Sequence, residues 1–131
     1  ATNVALIDIA QLKKMAAEFR TVWSLYANGR GTSADFADRE TLDRAFHNEI
    51  VLATENNYLI DMYHSIREPL NYLSVRTCEF VASKGERDNI IIISAQHVDI
   101  CRAIESGFPE MARQAMERHI DFCHERCLLD R

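Results

Sequence analysis

Apolar residues recur at helical spacing from the start of the chain: Leu6, Ile9, Leu12, Met15, Ala16, Phe19, Val22, Trp23 and Tyr26. They predict a first helix, with Asp8 near its beginning and Asn28-Gly29 to stop it. A polar loop around Gly29 to Ser33 leads to a second helix, expected from about Asp38, with Leu42, Phe46, Ile50 and Val51 on one side. Glu55-Asn56-Asn57 breaks it. Tyr58, Met62, Ile66, Pro69, Leu73 and Phe80 then mark a long third helix, ended by Ser83-Lys84-Gly85. Pro69 should bend it, because proline has no N–H for an interior helical hydrogen bond.

The stretch after Asp88-Asn89 reads IIIISAQHVDICRAI. Four successive isoleucines alone suit a buried strand. Ile93, His97, Ile100 and Ile104, however, keep helical spacing for longer than strands usually run, so a fourth helix is expected. Ser106-Gly107 closes it, Pro109 stands where proline opens a helix, and Met111, Ala112, Ala115, Met116, His119 and Cys123 carry the last helix forward. The fold class expected is all-α, an antiparallel bundle of about five to six helices with short loops. Neither an internal repeat nor a low-complexity segment interrupts it.

Composition agrees with this reading. The 131 residues are 47% hydrophobic and 27% charged, with only four glycines and two prolines, which suits one helical domain over 1–131. A net charge of -5, with acids spread along the chain, gives no basic stripe for nucleic acid. There is no apolar run long enough to cross a bilayer and no signal-peptide pattern, so a cytoplasmic protein without membrane contact is expected. Cys78, Cys101, Cys123 and Cys127 lack paired-knuckle spacing, and reduced thiols are expected. The chain opens on Ala1-Thr2 and runs at once into a helical pattern, the expected look of a portion of a longer polypeptide.

The candidate chemistry lies on apolar faces. Asp43 and His47 are four residues apart on the second helix, so both reach one point beside Leu42, Phe46 and Ile50. His97 lies between Ile93 and Ile100, and His119 between Ala115 and Cys123, so both imidazoles should point inward. A lone histidine on such a face is usually a core residue bonded to a backbone carbonyl or a tyrosine. Three, with a carboxylate, are different. Unpartnered polar groups cost about 1–3 kcal/mol each when buried, and a shared divalent metal is the most economical partner. Three histidines and an aspartate suit zinc first, with nickel, manganese or iron as alternatives, and leave coordination positions for water or an incoming carboxylate. His64 and His124 should face solvent. Met111 and Met116 read as core fillers, and Trp23 with Tyr26 as the packing edge of the first helix.

LDRAFHNEIVLATENNYL resembles a family pattern: an aspartate ahead of Phe-His, an alanine-containing turn, then Asn-x-Tyr-Leu. AQHVDICRAIESGFPEMARQAMERHI is similar to a second, a histidine followed by Ala-Ile, a glycine turn, and alanines leading to a final histidine. In order and spacing, over nearly the whole chain, these look like the FCD effector-binding domain, the C-terminal half of bacterial transcription regulators of the GntR class (FadR subfamily). The resemblance implies a helical bundle around a central cavity, with a divalent metal held at Asp43, His47, His97 and His119. It also implies a small carboxylate effector that completes the coordination, a homodimer, and DNA binding only through an N-terminal winged helix-turn-helix domain absent from this chain. On this reading the domain is not an enzyme. Three departures stand out: the first family helix, with its arginine and glutamate, is expected to be missing; Gln96 replaces a glutamate before the third ligand; and Phe108 replaces an aspartate after the glycine.

Arg76 falls on the side of the third helix that carries Met62, Ile66, Pro69 and Leu73, with Tyr72 beside them, so these two are expected at the effector's far end. The alternative for Arg76 is a surface ion pair. As rival functions, a metal-dependent hydrolase or oxygen-handling bundle stays open, though no paired Glu-x-x-His motif supports a di-iron site. A purely structural metal also stays open.

Overall fold

The computed structural model describes residues 7–31, 33–83 and 87–128, and within these not the side chains at 26–27, 33–37, 77–83, 87, 90 and 126–128. The expectations for Leu6, Tyr26, Cys78, Phe80, Lys84-Gly85 and Cys127 therefore fall outside the described residues or side chains. Five helices follow in order: α1 (Ile9–Ala27), α2 (Ser33–Leu52), α3 (Asn57–Ser83), α4 (Arg87–Glu105) and α5 (Pro109–Leu128). Among the described residues there is no strand, and the all-α expectation holds. The isoleucine run belongs to α4, with Ile91 and Ile92 exposed and Ile93 buried. α2 begins at Ser33, more than a turn before Asp38. Its opening Ser33-Ala34-Asp35 carries a polar start signal in place of the apolar stripe that periodicity detects.

Local chemistry sets the helix ends. The Asp8 carboxylate accepts from the Gln11 N–H at 2.9 Å and caps α1, as Asn56 Oδ1 caps α3 by accepting from the Leu59 N–H at 3.2 Å. α1 stops at Gly29, whose φ of 68° lets the Arg30 N–H turn back onto the Leu25 carbonyl at 2.9 Å. Glu55 takes the same left-handed role after α2 at φ 51°, without glycine's freedom. At the head of α5, Pro109 occupies the first helical position and Phe108 the cap, its carbonyl accepting from Met111 and Ala112. An exposed phenylalanine has no side-chain oxygen to offer the free N–H groups there.

The helices close into a ring: α1 packs on α2 and α4, α4 on α5, α5 on α3, and α3 back on α2. The stripe Leu12, Ala16, Phe19 and Trp23 of α1 is buried, and Leu12 and Ala16 join Phe46 of α2 and Ile100, Cys101 and Ile104 of α4 in one core cluster. Burying each large apolar side chain contributes roughly 1.5–3 kcal/mol. Met116 packs against this core from α5, whereas Met111 is exposed, a correction to its reading as a core filler: at the start of α5 it projects past the end of the bundle toward Ser106.

α3 behaves differently. Not one of its described side chains is buried, and its apolar stripe faces outward, with Tyr58 90%, Met62 56% and Ile66 44% exposed. The helix continues through Pro69, which leaves the Ser65 carbonyl without its usual donor.

Two substitutions test this account by urea denaturation. Phe46→Ala should cost about 3–5 kcal/mol, because the emptied volume sits among packed helices. Phe108→Asp should add about 1 kcal/mol by supplying the missing cap.

Candidate metal centre and cavity

Asp43 and His47 share one face of α2, His97 comes from α4 and His119 from α5, and the structure brings all four together. The imidazoles of His47, His97 and His119 each offer a nitrogen, and these three atoms lie within 4.8 Å of one another. Their rings crowd: His47 stacks on His119 at 5.3 Å between centroids, and His97 stands edge-on to His119 at 4.7 Å. Phe19 and Phe46 wall off His97, which is fully buried.

Hydrogen bonds fix how each ring presents its nitrogens. His97 Nδ1–H donates to the Ile93 carbonyl at 2.9 Å, one turn back along α4. In a neutral imidazole that leaves Nε2 as a bare lone pair, yet Nε2 faces Asp43 Oδ1 at 3.1 Å. Two acceptors are thus aimed at each other unless a proton or a cation lies between them. His119 Nδ1–H donates to Gln96 Oε1 at 3.1 Å, which frees its Nε2 in the same way. Asp43 is held from its other oxygen, where the Ser74 hydroxyl donates to Oδ2 at 3.3 Å. His47 Nε2 lies 3.9 Å from Asp43 Oδ1.

The electrostatics favour deprotonated rings at His47 and His119 beside an ionised acid. Burial pushes His119 down to about 3, helped by His97 and His47, and burial likewise lowers His47 against the pull of Asp43. Burial alone would raise Asp43, but the close approach of His97 and the neighbouring histidines more than offset it and hold the carboxyl well below its ordinary range. Neutral imidazoles beside a carboxylate are the protonation states that ligate a divalent cation. The donor set fits such an ion: lone pairs converge from three helices, and three of the four groups have an anchoring partner behind them.

The centre opens onto a cavity of about 850 Å³ lined from α1 to α5, within the range of small-molecule sites. α2 supplies it with a ladder, Arg39, Asp43, His47, then Ile50 and Val51, and Thr54 follows in the turn after it. Arg39 is 3% exposed, and its guanidinium lies 4.5 Å above the Trp23 ring. Sequence reasoning missed it, although Arg39, Asp43 and His47 at steps of four were a legible sign. It also missed Tyr63, Ser74 and the orienting role of Gln96.

The two residues expected at the effector's far end are elsewhere. Tyr72 is 66% exposed, Arg76 is exposed, and neither lines the cavity. The side of α3 chosen from its apolar stripe turns mostly to the surface, while Leu59, Tyr63, Leu70, Leu73 and Ser74 face the cavity. His64 is exposed and meets Asn48 at 3.3 Å. His124 is exposed too, but at the cavity's edge. Neither Cys101 nor Cys123 is in a disulfide among the described residues, and burial pushes Cys101 up to about 11.

Trp23→Leu should lower stability by about 2–4 kcal/mol in urea titration, since it removes both the seat of Arg39 and the edge contact with Phe19 at 5.8 Å.

Compared with known proteins, the chain matches the FCD domain family over residues 1–122. No curated protein matches it.

Proposed function

This chain belongs to the FCD domain family, the C-terminal effector-binding domain of GntR-family regulators, and from that premise we propose that it is a metal-dependent sensor of a carboxylate effector. FCD domains regulate; they are not enzymes. Asp43, His47, His97 and His119 hold a divalent cation, zinc first and nickel, manganese or iron as alternatives. Effector binding controls DNA binding by a winged-helix domain that this sequence does not include. The observation that carries the reading is the 3.1 Å approach of His97 Nε2 to Asp43 Oδ1 while Nδ1 is committed to the Ile93 carbonyl. A shared cation satisfies both acceptors in this buried place.

When bound, the cation supplies a fixed positive charge to which a carboxylate adds as a further ligand. The chain's own residues do the rest. Ile93 and Gln96 set the orientation of two rings, Ser74 steadies the carboxylate, and Phe19 and Phe46 keep water from His97. Arg39, on the cavity wall one turn before Asp43, adds a second positive charge for an anion to meet. Two copies pair in this reading, supported by the outward apolar side of α3. The protein acts in the cytoplasm, in keeping with the absence of any described helix long and apolar enough to cross a membrane. An effector transmits a signal only through unequal affinity for two arrangements of the pair.

Elemental analysis of protein purified without chelator should find about one metal per chain, lost in His97→Ala. Gln96→Leu should keep the metal but bind it about 10–100-fold more weakly in competition with a chromophoric chelator. Wild-type protein that stays metal-free after soaking with zinc, nickel and manganese would refute the proposal.

A further inference from the structure

We propose that the effector is a monocarboxylate with an extended apolar body, an alkyl or aryl acid, and not a short hydroxy acid or a polycarboxylate. The inference rests on the metal-dependent reading above and names the ligand class of the same site.

The distribution of polar groups along the cavity carries it. Asp43, His47 and His119 gather at one stretch of wall, with Arg39 one turn earlier on α2 and Ser74 already donating to Asp43. One anionic head is matched there. Past His47 the chemistry changes within a single turn: α2 offers Ile50 and Val51, α3 offers Leu59, and α5 offers Met116 and Ile120. Thr54, in the turn just after α2, is the polar exception here, and its hydroxyl is committed to the Val51 carbonyl at 2.7 Å. Asp121 and His124 are exposed residues at the cavity's edge, and the negative charge of Asp121 opposes a second carboxylate.

Size points the same way. At about 30 Å³ per water, 850 Å³ holds on the order of 28 waters. A short hydroxy acid coordinated at the histidines leaves most of that volume as water against apolar walls. A second carboxylate or a row of hydroxyls would give up hydration for leucine, isoleucine and methionine side chains, which return no hydrogen bond. An alkyl or aryl body displaces that water favourably, and each buried methylene should raise affinity on the order of fourfold.

The test is isothermal titration of the zinc-loaded 131-residue chain with acetate, butanoate, hexanoate and octanoate, beside lactate and citrate. Affinity should climb along the series and exceed that of lactate and citrate by at least about tenfold at octanoate. Leu59→Gln, a change on a half-buried wall residue outside the core, should weaken octanoate about tenfold and leave acetate unchanged. Lactate or citrate binding as tightly as octanoate, or octanoate indifferent to Leu59→Gln, overturns the inference and leaves the metal-dependent reading standing. Failure of every acid to bind the zinc-loaded chain, or equal octanoate binding after chelation, overturns the reading beneath it.

Discussion

Three imidazoles and a carboxylate occupy one buried corner between α2, α4 and α5, and the bundle is built to keep them there. Such a cluster is costly in isolation, because burial opposes charge on Asp43, His47 and His119 alike. The fold answers in two layers. A backbone carbonyl, an amide and a hydroxyl fix His97, His119 and Asp43 from behind. Aromatic rings and the α1 stripe then enclose the set, so that the side chains specifying the core also shield the centre. Packing and site share their residues, Phe19 and Phe46 above all.

α2 converts this corner into a directional surface. A helix advances 1.5 Å per residue, so Arg39 to Val51 covers roughly 18 Å of cavity wall. Along it the chemistry passes from a cation stacked on an indole, through an anion and an imidazole, to branched aliphatics. On the proposed reading a single element would fix both where a ligand's charge sits and which way its body lies. Gln96, a neutral amide, orients His119 without adding negative charge to the centre.

Much of this was legible in the sequence. Helical spacing located all five helices, and the inward positions of His97 and His119 followed from their apolar neighbours at three and four residues. The four isoleucines were correctly given to a helix because the pattern outran a strand. Legibility failed on α3. Its apolar stripe was read as its inner side, but Met62 and Ile66 lie exposed and a less regular set, Leu59, Tyr63, Leu70 and Ser74, faces the cavity. Hydrophobic periodicity reports which side of a helix avoids water, not which partner covers it, and Tyr72 and Arg76 were misplaced for that reason. Arg39 escaped notice because a buried guanidinium is chosen by three-dimensional neighbours, Trp23 among them, that lie far away in sequence.

The unburied state of α3 has a consequence for how this architecture can diversify. The stabilising core draws on α1, α2, α4 and α5, while α3 contributes cavity wall without contributing a described core residue. Substitutions at Leu59, Tyr63, Leu70 or Leu73 can reshape what the cavity accepts at little expense to folding, whereas the ligand-bearing helices are constrained twice over. For a ligand of the proposed kind, recognition of the head group would thereby be insulated from selection on the tail, and a lineage could change its chemical signal by editing one wall.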